Sequence, residues 1–203
     1  MTYVDLYLDH WPSVNKTKDG VKRIPLHETW TKMEKLVDAG KTKMIGVSNY
    51  NVQSLLVILS FCRIRPSFNE VEFHPYLYQK DLKAFCDSEN IKILCYNPVV
   101  KGGYCDRSKE IIKERNLNLF EEPIVKSLAE KYKKTPGQII LNWHIHIGVI
   151  PIPGTTNPNR MKENLSATDF KMEEDEIKQL SSFENKQHRF CYTLPFLGFD
   201  IFT

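Results

Sequence analysis

The chain has 203 residues, of which 41% are hydrophobic and 26% charged, a balance typical of a protein that buries a core. Its 28 basic and 25 acidic residues leave a formal net charge of +3 without a basic block, so the charge pattern gives no reason to expect a nucleic-acid partner. No stretch has the composition of a membrane span or a secretion signal. We therefore expect a cytoplasmic protein with no membrane partner, organised as one domain over residues 1–203.

The cysteine and histidine patterns give no sign of a metal site. His144 and His146 are two residues apart in a predicted helix and therefore face different sides, which argues against a shared metal ion. We interpret both histidines as structural. The cysteines are odd in number and show no CxxC spacing, so we expect free thiols in a reducing compartment. The five cysteines are Cys62, Cys86, Cys95, Cys105 and Cys191.

Hydrophobic periodicity predicts an alternation of strands and helices along the chain. Short apolar runs indicate five strands, at residues 4–8, 44–48, 67–72, 91–96 and 149–152. Apolar residues at helical spacing indicate helices at residues 26–39, 52–62, 79–90, 123–134, 136–147, 158–166 and 173–183. The last helix leads into an aromatic segment, so we interpret residues 173–203 as a carboxy-terminal helix and tail.

The order of these elements restricts the architecture. Strands separated by helices of about ten or more residues cannot pair as hairpins, so the sheet should be parallel with right-handed crossovers. An open doubly wound sheet that binds a dinucleotide would contain a G-x-G-x-x-G turn, and its absence here favours a (β/α) barrel. Functional residues of such barrels lie where strands end. The polar candidates at these positions are His10, Ser48, Asn49, Glu70, Tyr96, Asn97 and Thr155.

Five segments at the predicted strand ends resemble one protein family. They are YVDLYLDHWP (residues 3–12), GVSNY (46–50), NEVEFHPYL (69–77), CYNP (95–98) and IPGTTNPNRMKEN (152–164). In sequence and order they resemble the aldo-keto reductases, which have an α/β fold of the (β/α)8 TIM-barrel family and reduce aldehydes or ketones with NADPH. The resemblance implies that the chain contains only about the last five β/α units of such a barrel.

The resemblance implies roles for residues at the nicotinamide end of the cofactor. His10 matches the catalytic histidine that orients the substrate carbonyl, and Trp11 matches an aromatic wall of the substrate pocket. Ser48 and Asn49 match the pair that hydrogen-bonds the nicotinamide carboxamide, and Tyr96 matches the aromatic on which the nicotinamide ring stacks. These residue types suit hydride transfer, because the reaction needs a fixed ring and a donor for the oxygen that gains negative charge.

Further matches concern the phosphate and adenosine end of the cofactor. Arg160 matches the residue for the 2′-phosphate, which a guanidinium binds with two parallel donors, and Asn164 matches the residue for the adenine. Thr155 retains a hydroxyl, although Gly154 stands where many family members have a lysine. Asn97 replaces a small serine in the loop along the pyrophosphate, and its amide is also able to contact phosphate. We therefore predict NADPH (NADP) as the cofactor.

Two departures from the family affect the expected chemistry. Glu70 stands where the family has a glutamine that contacts the carboxamide, and a carboxylate accepts from the amide but cannot donate to it unless protonated. No residue of the chain matches the family's catalytic aspartate, its proton-donating tyrosine or the lysine beside that tyrosine. We therefore expect a fragment or truncated form of a longer protein, inactive alone, or a chain that a partner completes.

Two classes of function remain open from the sequence. The first is an NADPH-dependent oxidoreductase that acts on a small-molecule carbonyl substrate, with His10 as its remaining catalytic residue. The second is a non-catalytic nucleotide-binding or interaction protein of the same fold, which the unmatched catalytic residues favour. A storage protein recruited from the family is a third and less specific interpretation. The sequence indicates neither the substrate nor the oligomeric state.

Overall fold

The computed structural model describes residues 2–12, 14–17, 20–100, 106–183 and 186–191. The strands in these residues are β1 (Val4–Asp9), β2 (Val14–Thr17), β3 (Gly20–Arg23), β4 (Thr42–Ser48), β5 (Phe68–Glu72), β6 (Lys92–Tyr96) and β7 (Ile150–Pro151). The helices are α1 (Leu26–Asp38), α2 (Val52–Leu59), α3 (Lys80–Ser88), α4 (Asp106–Glu114), α5 (Pro123–Tyr132), α6 (Pro136–His146), α7 (Pro158–Leu165) and α8 (Glu174–Leu180). Short 3-10 turns occupy Leu119–Glu121 and Ser166–Thr168.

The main sheet has five strands in the order β1-β4-β5-β6-β7. The pairs β1–β4, β4–β5 and β6–β7 are parallel, which confirms the prediction from the strand and helix alternation. In this register Asp9 is paired with Val47, and Ser48 with Glu70. Because these strands run in the same direction, the residues that follow β1, β4 and β5 emerge at one edge of the sheet.

Two elements were missing from the sequence prediction. A two-stranded antiparallel hairpin, β2–β3, follows β1, and helix α4 lies in the long segment after β6. The hairpin strands are only four residues long and mostly polar, so they give no alternating hydrophobic pattern. Helix α4 has the sequence DRSKEIIKE, in which only two adjacent isoleucines are apolar, so helical spacing is not visible.

The chain divides into two compact units, of which unit 1 comprises residues 1–71, 80–93 and 193–203. Its core is built on β4, where Ile45 and Val47 are fully buried, and on Trp30 of α1, whose indole donates to the Ile64 carbonyl (2.9 Å). Gly46 lies between them on β4. A Cβ at this position would meet the Phe68 carbonyl oxygen at 2.6 Å, so the close approach of β4 and β5 requires glycine here.

Unit 2 comprises residues 72–79 and 94–192. Its core is an aromatic cluster in which Trp143 of α6 contacts Phe73 (5.9 Å between ring centres) and Tyr78 (5.7 Å). His144 is fully buried beside them, with ring nitrogens 2.7 Å from the Ile140 carbonyl oxygen and 3.0 Å from that of Phe73. Burial lowers the pKa of His144 to about 4, so the ring is neutral at physiological pH. Its structural role is as predicted.

Some of the sequence predictions fall partly on residues outside the described ranges. No disulfide joins Cys62, Cys86, Cys95 and Cys191 within the described residues, whereas Cys105 lies outside them. The predicted tail beyond α8 is described only in part, because residues 184–185 and 192–203 lie outside the described ranges. Within those ranges, no helix has both the length and the apolar character needed to cross a membrane.

Candidate active site

Hydrogen bonds join four of the predicted site residues in unit 1, namely His10 after β1, Ser48 and Asn49 at the end of β4, and Glu70 within β5. The Asn49 side-chain amide donates to the His10 carbonyl (2.9 Å) and to Ser48 Oγ (3.0 Å). The Ser48 hydroxyl donates to the Glu70 carbonyl (2.9 Å), which also accepts from the Asn49 amide (2.8 Å). Asn49 has a φ of +64°, a left-handed conformation that asparagine tolerates better than most residues. These bonds therefore fix the end of β1, the end of β4 and the middle of β5 to one another.

His10 and Trp11 follow β1 directly. The His10 side chain is exposed, and its ring centre lies 5.5 Å from that of the partly buried Trp11, with the planes tilted by 37°. Burial raises the pKa of the Glu70 carboxyl, and the nearby His10 acts in the opposite direction. An exposed imidazole next to an aromatic side chain is suited to hydrogen-bond a carbonyl oxygen.

A hydrogen-bonded pair beside His10 was missed in the sequence. The Tyr50 hydroxyl donates to Asp9 Oδ2 at 2.6 Å, and the Tyr50 side chain is buried. The pKa of Asp9 is raised, because the effect of burial exceeds the opposing effects of the hydrogen bond from Tyr50 and of the nearby His10. The sequence gives little signal for this pair, because Asp9 simply follows the strand predicted at residues 4–8. Its partner is 41 positions away, between a predicted strand and a predicted helix.

Unit 2 contains a cavity of about 550 Å³. The predicted residues that line it are Tyr96, Asn97, Thr155, Arg160 and Asn164. Sequence reasoning missed further residues of its lining, including Phe120, Thr135, Gly137 and Glu163. Five of the predicted cofactor residues thus meet at one concave surface, whereas Ser48, Asn49 and Glu70 belong to unit 1.

Helix α7 places Arg160 at this cavity through its capping residues. Asn157 Oδ1 accepts from the amides of Asn159 (2.9 Å) and Arg160 (3.3 Å), and Pro158 occupies the first turn, where its missing amide costs nothing. Thr155 Oγ1 accepts from the Asn157 amide (3.2 Å). Arg160 therefore lies in the first turn with an exposed side chain. It forms no ion pair with any residue in the described ranges.

The amino terminus of α6 also opens onto the cavity. Thr135 and Gln138 form a capping box, in which the Thr135 hydroxyl accepts from the Gln138 amide (3.3 Å) and Gln138 Oε1 accepts from the Thr135 amide (2.9 Å). Thr135 and Gly137 line the cavity. Helix amino termini carry partial positive charge, so α6 and α7 together with Arg160 make this surface attractive to anions. The T-P-G-Q sequence is a visible capping signal that could have identified this part of the lining.

Comparison with known proteins places these features in a family. The sequence matches the Aldo/keto reductase family over residues 1–185. It is 38% identical over 203 residues to aldo-keto reductase family 1 member A1-A of Danio rerio, a match that covers 94% of this chain and 60% of the relative. The chain thus spans about three fifths of the length of that curated relative. The chain belongs to the aldo/keto reductase family, as its five motifs indicated.

Solved structures agree with this assignment. Aldose reductase from Giardia lamblia superposes with a TM-score of 0.84 at 28% identity, covering 100% of this chain and 69% of that chain. A Bombyx mori aldo-keto reductase in complex with NADP superposes with a TM-score of 0.82 at 34% identity, covering 96% of this chain and 62% of that chain. The chain therefore has the fold of the aldo-keto reductases, a TIM-barrel family, with a parallel α/β sheet.

Proposed function

We propose that the chain binds NADPH and takes part in the reduction of an aldehyde or ketone to an alcohol. The observation that carries the proposal is the unit 2 cavity, which is lined by Arg160, Thr155 and the amino termini of two helices. A guanidinium that has no carboxylate partner among the described residues and lies next to helix amino termini is suited to a phosphate monoester. The 2′-phosphate distinguishes NADPH from NADH, so Arg160 is the residue on which the choice of cofactor depends.

The remaining lining residues support the same ligand. Tyr96 offers a planar face for the nicotinamide ring, Asn97 an amide for the pyrophosphate, and Asn164 both a donor and an acceptor for the adenine edge. Each role follows from the family match at that position. Bound NADPH would supply the hydride.

Residues of unit 1 are proposed for the reacting end. Ser48 and Asn49 provide polar groups for the nicotinamide carboxamide, and the Glu70 carboxylate accepts from the carboxamide NH₂. His10, exposed at the end of β1, donates a hydrogen bond to the substrate carbonyl and stabilises its oxygen as negative charge develops. Trp11 beside it is proposed as an aromatic wall for a small apolar or aromatic carbonyl compound.

Proton transfer to the product alcohol is proposed to need groups that these 203 residues do not supply. No residue matches the family's proton-donating tyrosine or its aspartate and lysine, and the chain spans about three fifths of the length of a curated relative. We propose that the chain represents about five β/α units of the barrel and is inactive without the others. The alternative, a nucleotide-binding protein without turnover, is favoured by the same unmatched residues and predicts identical cofactor binding.

The test has a binding step and a turnover step. We expect NADPH to quench the tryptophan fluorescence of the chain saturably, and the chain alone to reduce model aldehydes negligibly, because general acid catalysis typically contributes about 10² to 10⁴-fold. Joining the chain to the amino-terminal units of a relative should yield turnover, which His10→Ala should lower about 10²-fold. If NADPH causes no saturable quenching, that result would contradict cofactor binding. Binding without turnover in the joined protein would favour the non-catalytic alternative.

A further inference from the structure

Glu72, the last residue of β5, is a fully buried carboxylate in unit 2 that has no part in the proposed chemistry. Its Oε2 accepts from the amides of Phe190 (3.0 Å) and Cys191 (2.9 Å), and its Oε1 accepts from Asn97 Nδ2 (3.0 Å). His74 Nε2 lies 3.3 Å from the same Oε1. Burial alone would raise the pKa of Glu72, but the contacts with His74, the Cys191 amide and Asn97 bring it below its ordinary value. The carboxylate is therefore charged and is compensated by donors from three parts of unit 2.

Two of these donors belong to the carboxy-terminal segment, which we define as residues 188–191. The carbonyl of Glu72 accepts from Gln79 Nε2 (2.6 Å), and Gln79 Oε1 accepts from the Arg189 guanidinium (3.0 Å). The His188 amide donates to the Tyr76 carbonyl at 2.7 Å. Every residue of the carboxy-terminal segment thus has a hydrogen bond to Glu72 or to another residue between 72 and 79.

The carboxy-terminal segment also contacts α4 and packs against aromatic rings. The Ser108 hydroxyl, which is buried, donates to the Phe190 carbonyl at 2.5 Å. The Phe190 ring is fully buried between His74 (5.5 Å between ring centres) and His188 (5.1 Å). The carbonyl and the amide of Phe190 are therefore both satisfied within unit 2, and the amide depends on Glu72.

The contacts of Glu72 lead directly to two residues of the cavity. Asn97 lines the cavity and has a φ of +52°, and its side-chain amide is bound by the Glu72 carboxylate. Tyr96 lines the cavity and is hydrogen-bonded to the side chain of Cys191, whose amide is bound by the same carboxylate. One buried charge therefore connects Tyr96, the last residue of β6, and Asn97, which follows it, with the carboxy-terminal segment.

We propose that Glu72 is a positioning residue for the cofactor cavity, fixing Asn97 directly and Tyr96 through the carboxy-terminal segment. The inference rests on the proposed function, because it assigns a purpose to the placement of two proposed cofactor contacts. It adds that cofactor affinity depends on a negative charge that touches no part of the ligand. It also makes the carboxy-terminal segment part of the cavity's support.

The substitution Glu72→Gln isolates the charge, since it preserves the size of the side chain. A glutamine offers one acceptor oxygen where the carboxylate offers two. Its NH₂ group is a donor and cannot accept from the amides of Phe190 and Cys191 or from Asn97. At least one of these amides, or Asn97, loses its partner. The matched control is Glu130→Gln, which removes an exposed carboxylate on α5.

The experiment measures NADPH affinity per folded molecule by fluorescence titration, amide hydrogen exchange at Phe190 and Cys191, and peptide-resolved labelling of the Cys191 thiol. In Glu72→Gln we expect the Kd for NADPH to rise about tenfold, as loss of charge-assisted hydrogen bonds implies. Exchange and thiol labelling should each accelerate about tenfold as the segment opens locally. Glu130→Gln should leave all three unchanged. A purely structural role would lower Tm and leave the affinity of the folded fraction intact, and that result would overturn the inference.

Further outcomes separate the inference from the proposed function. If the unsubstituted chain fails to bind NADPH, the proposed function fails, and exchange and labelling then decide whether Glu72 fixes the segment, with unchanged rates overturning it. If Glu72→Gln does not fold, Ser108→Ala tests the same segment without touching the buried charge. It should accelerate exchange at residues 190 and 191 and raise the Kd about threefold. An affinity within experimental error of the unsubstituted chain would count against the inference.

Discussion

At the scale of single residues, Glu70 is one of the two departures from the family pattern that the sequence predicts. Its carboxyl is partly buried in the middle of β5, where burial raises its pKa above the ordinary value of 4.5 and the nearby His10 opposes the rise. A carboxyl whose pKa is higher in the folded state favours folding below its unfolded pKa, and this contribution is lost as the pH rises through the folded pKa. The contribution of Glu70 to the free energy of unfolding should therefore fall as the pH rises above about 4.5.

The corresponding variant is Glu70→Gln, which stays neutral at every pH. We expect its Tm to exceed that of the unsubstituted chain by about 2 °C near neutral pH, and the difference to shrink at about pH 4, where Glu70 is protonated. Thermal unfolding monitored by circular dichroism across this range is the measurement, with Glu130→Gln as the exposed control. A Tm difference that is constant with pH would show that the Glu70 charge is not the cause.

Gly154 offers a gain of function at the cavity. It lines the cavity with Arg160, and a Cβ added to it would meet no atom within 4 Å, so a longer side chain fits without moving the backbone. Gly154→Lys should lower the Kd for NADPH about threefold to tenfold and leave that for NADH nearly unchanged, because a second cation reaches the 2′-phosphate. Parallel titrations with both cofactors measure this. Gly154→Gln, similar in length but neutral, is the control, and an equal improvement with glutamine would contradict the electrostatic explanation.

Sequence patterns grouped residues that share one local motif, and they missed residues whose partners are distant along the chain. Arg160 and Asn164 lie in one continuous segment, and the structure places both at the cavity. The Glu72 carboxylate binds amides 118 and 119 positions away, and Asp9 binds a tyrosine 41 positions away. Such pairs form only after the chain has folded, so neither spacing nor composition indicates them.

At the scale of secondary-structure elements, helix caps connect local stability with the site. Asn157 caps α7 and positions Arg160, whereas Asn51 caps α2 through a bond to the Ser54 amide (2.9 Å) and does not line the cavity. Asn157→Ala and Asn51→Ala should each cost about 1 kcal/mol of stability. Only Asn157→Ala should also weaken NADPH binding, since it loosens the turn that holds Arg160. Denaturant unfolding and NADPH titration of both variants check this, and equal affinities would contradict it.

The elements that sequence patterns predicted are those with a clear hydrophobic signal. Strands β1 and β4 and helices α1 and α6 were located to within two residues at each end, because each pairs an apolar pattern with a recognisable stop. Strand β7 is shorter than predicted, only Ile150–Pro151, although the Ile152 amide after it still donates to the Cys95 carbonyl of β6 (2.9 Å). Helix α4 and the β2–β3 hairpin were missed because their sequences contain too few apolar residues to produce a period.

At the scale of the whole molecule, the alternation of strands and long helices determined the parallel sheet, and the motifs identified the family. Neither predicted that the chain divides into two compact units. The proposed carbonyl-orienting residue His10 belongs to unit 1, and the cavity lined by Arg160 belongs to unit 2. The cofactor proposal can therefore be tested at the cavity without any assumption about turnover.

The cofactor selectivity of Arg160→Ala decides whether the unit 2 cavity binds the 2′-phosphate of NADPH. The guanidinium lies exposed at the cavity in the first turn of α7, and Lys162 of the same helix, which does not line the cavity, provides the matched control Lys162→Ala. Isothermal titration of the chain with NADPH and NADH should give a loss of NADPH affinity of about tenfold or more in Arg160→Ala, with NADH affinity within about twofold, because a charged hydrogen bond contributes about 1.5 to 3 kcal/mol. Lys162→Ala should change neither. Equal losses for both cofactors, or no loss for NADPH, would contradict the assignment of this cavity to the 2′-phosphate.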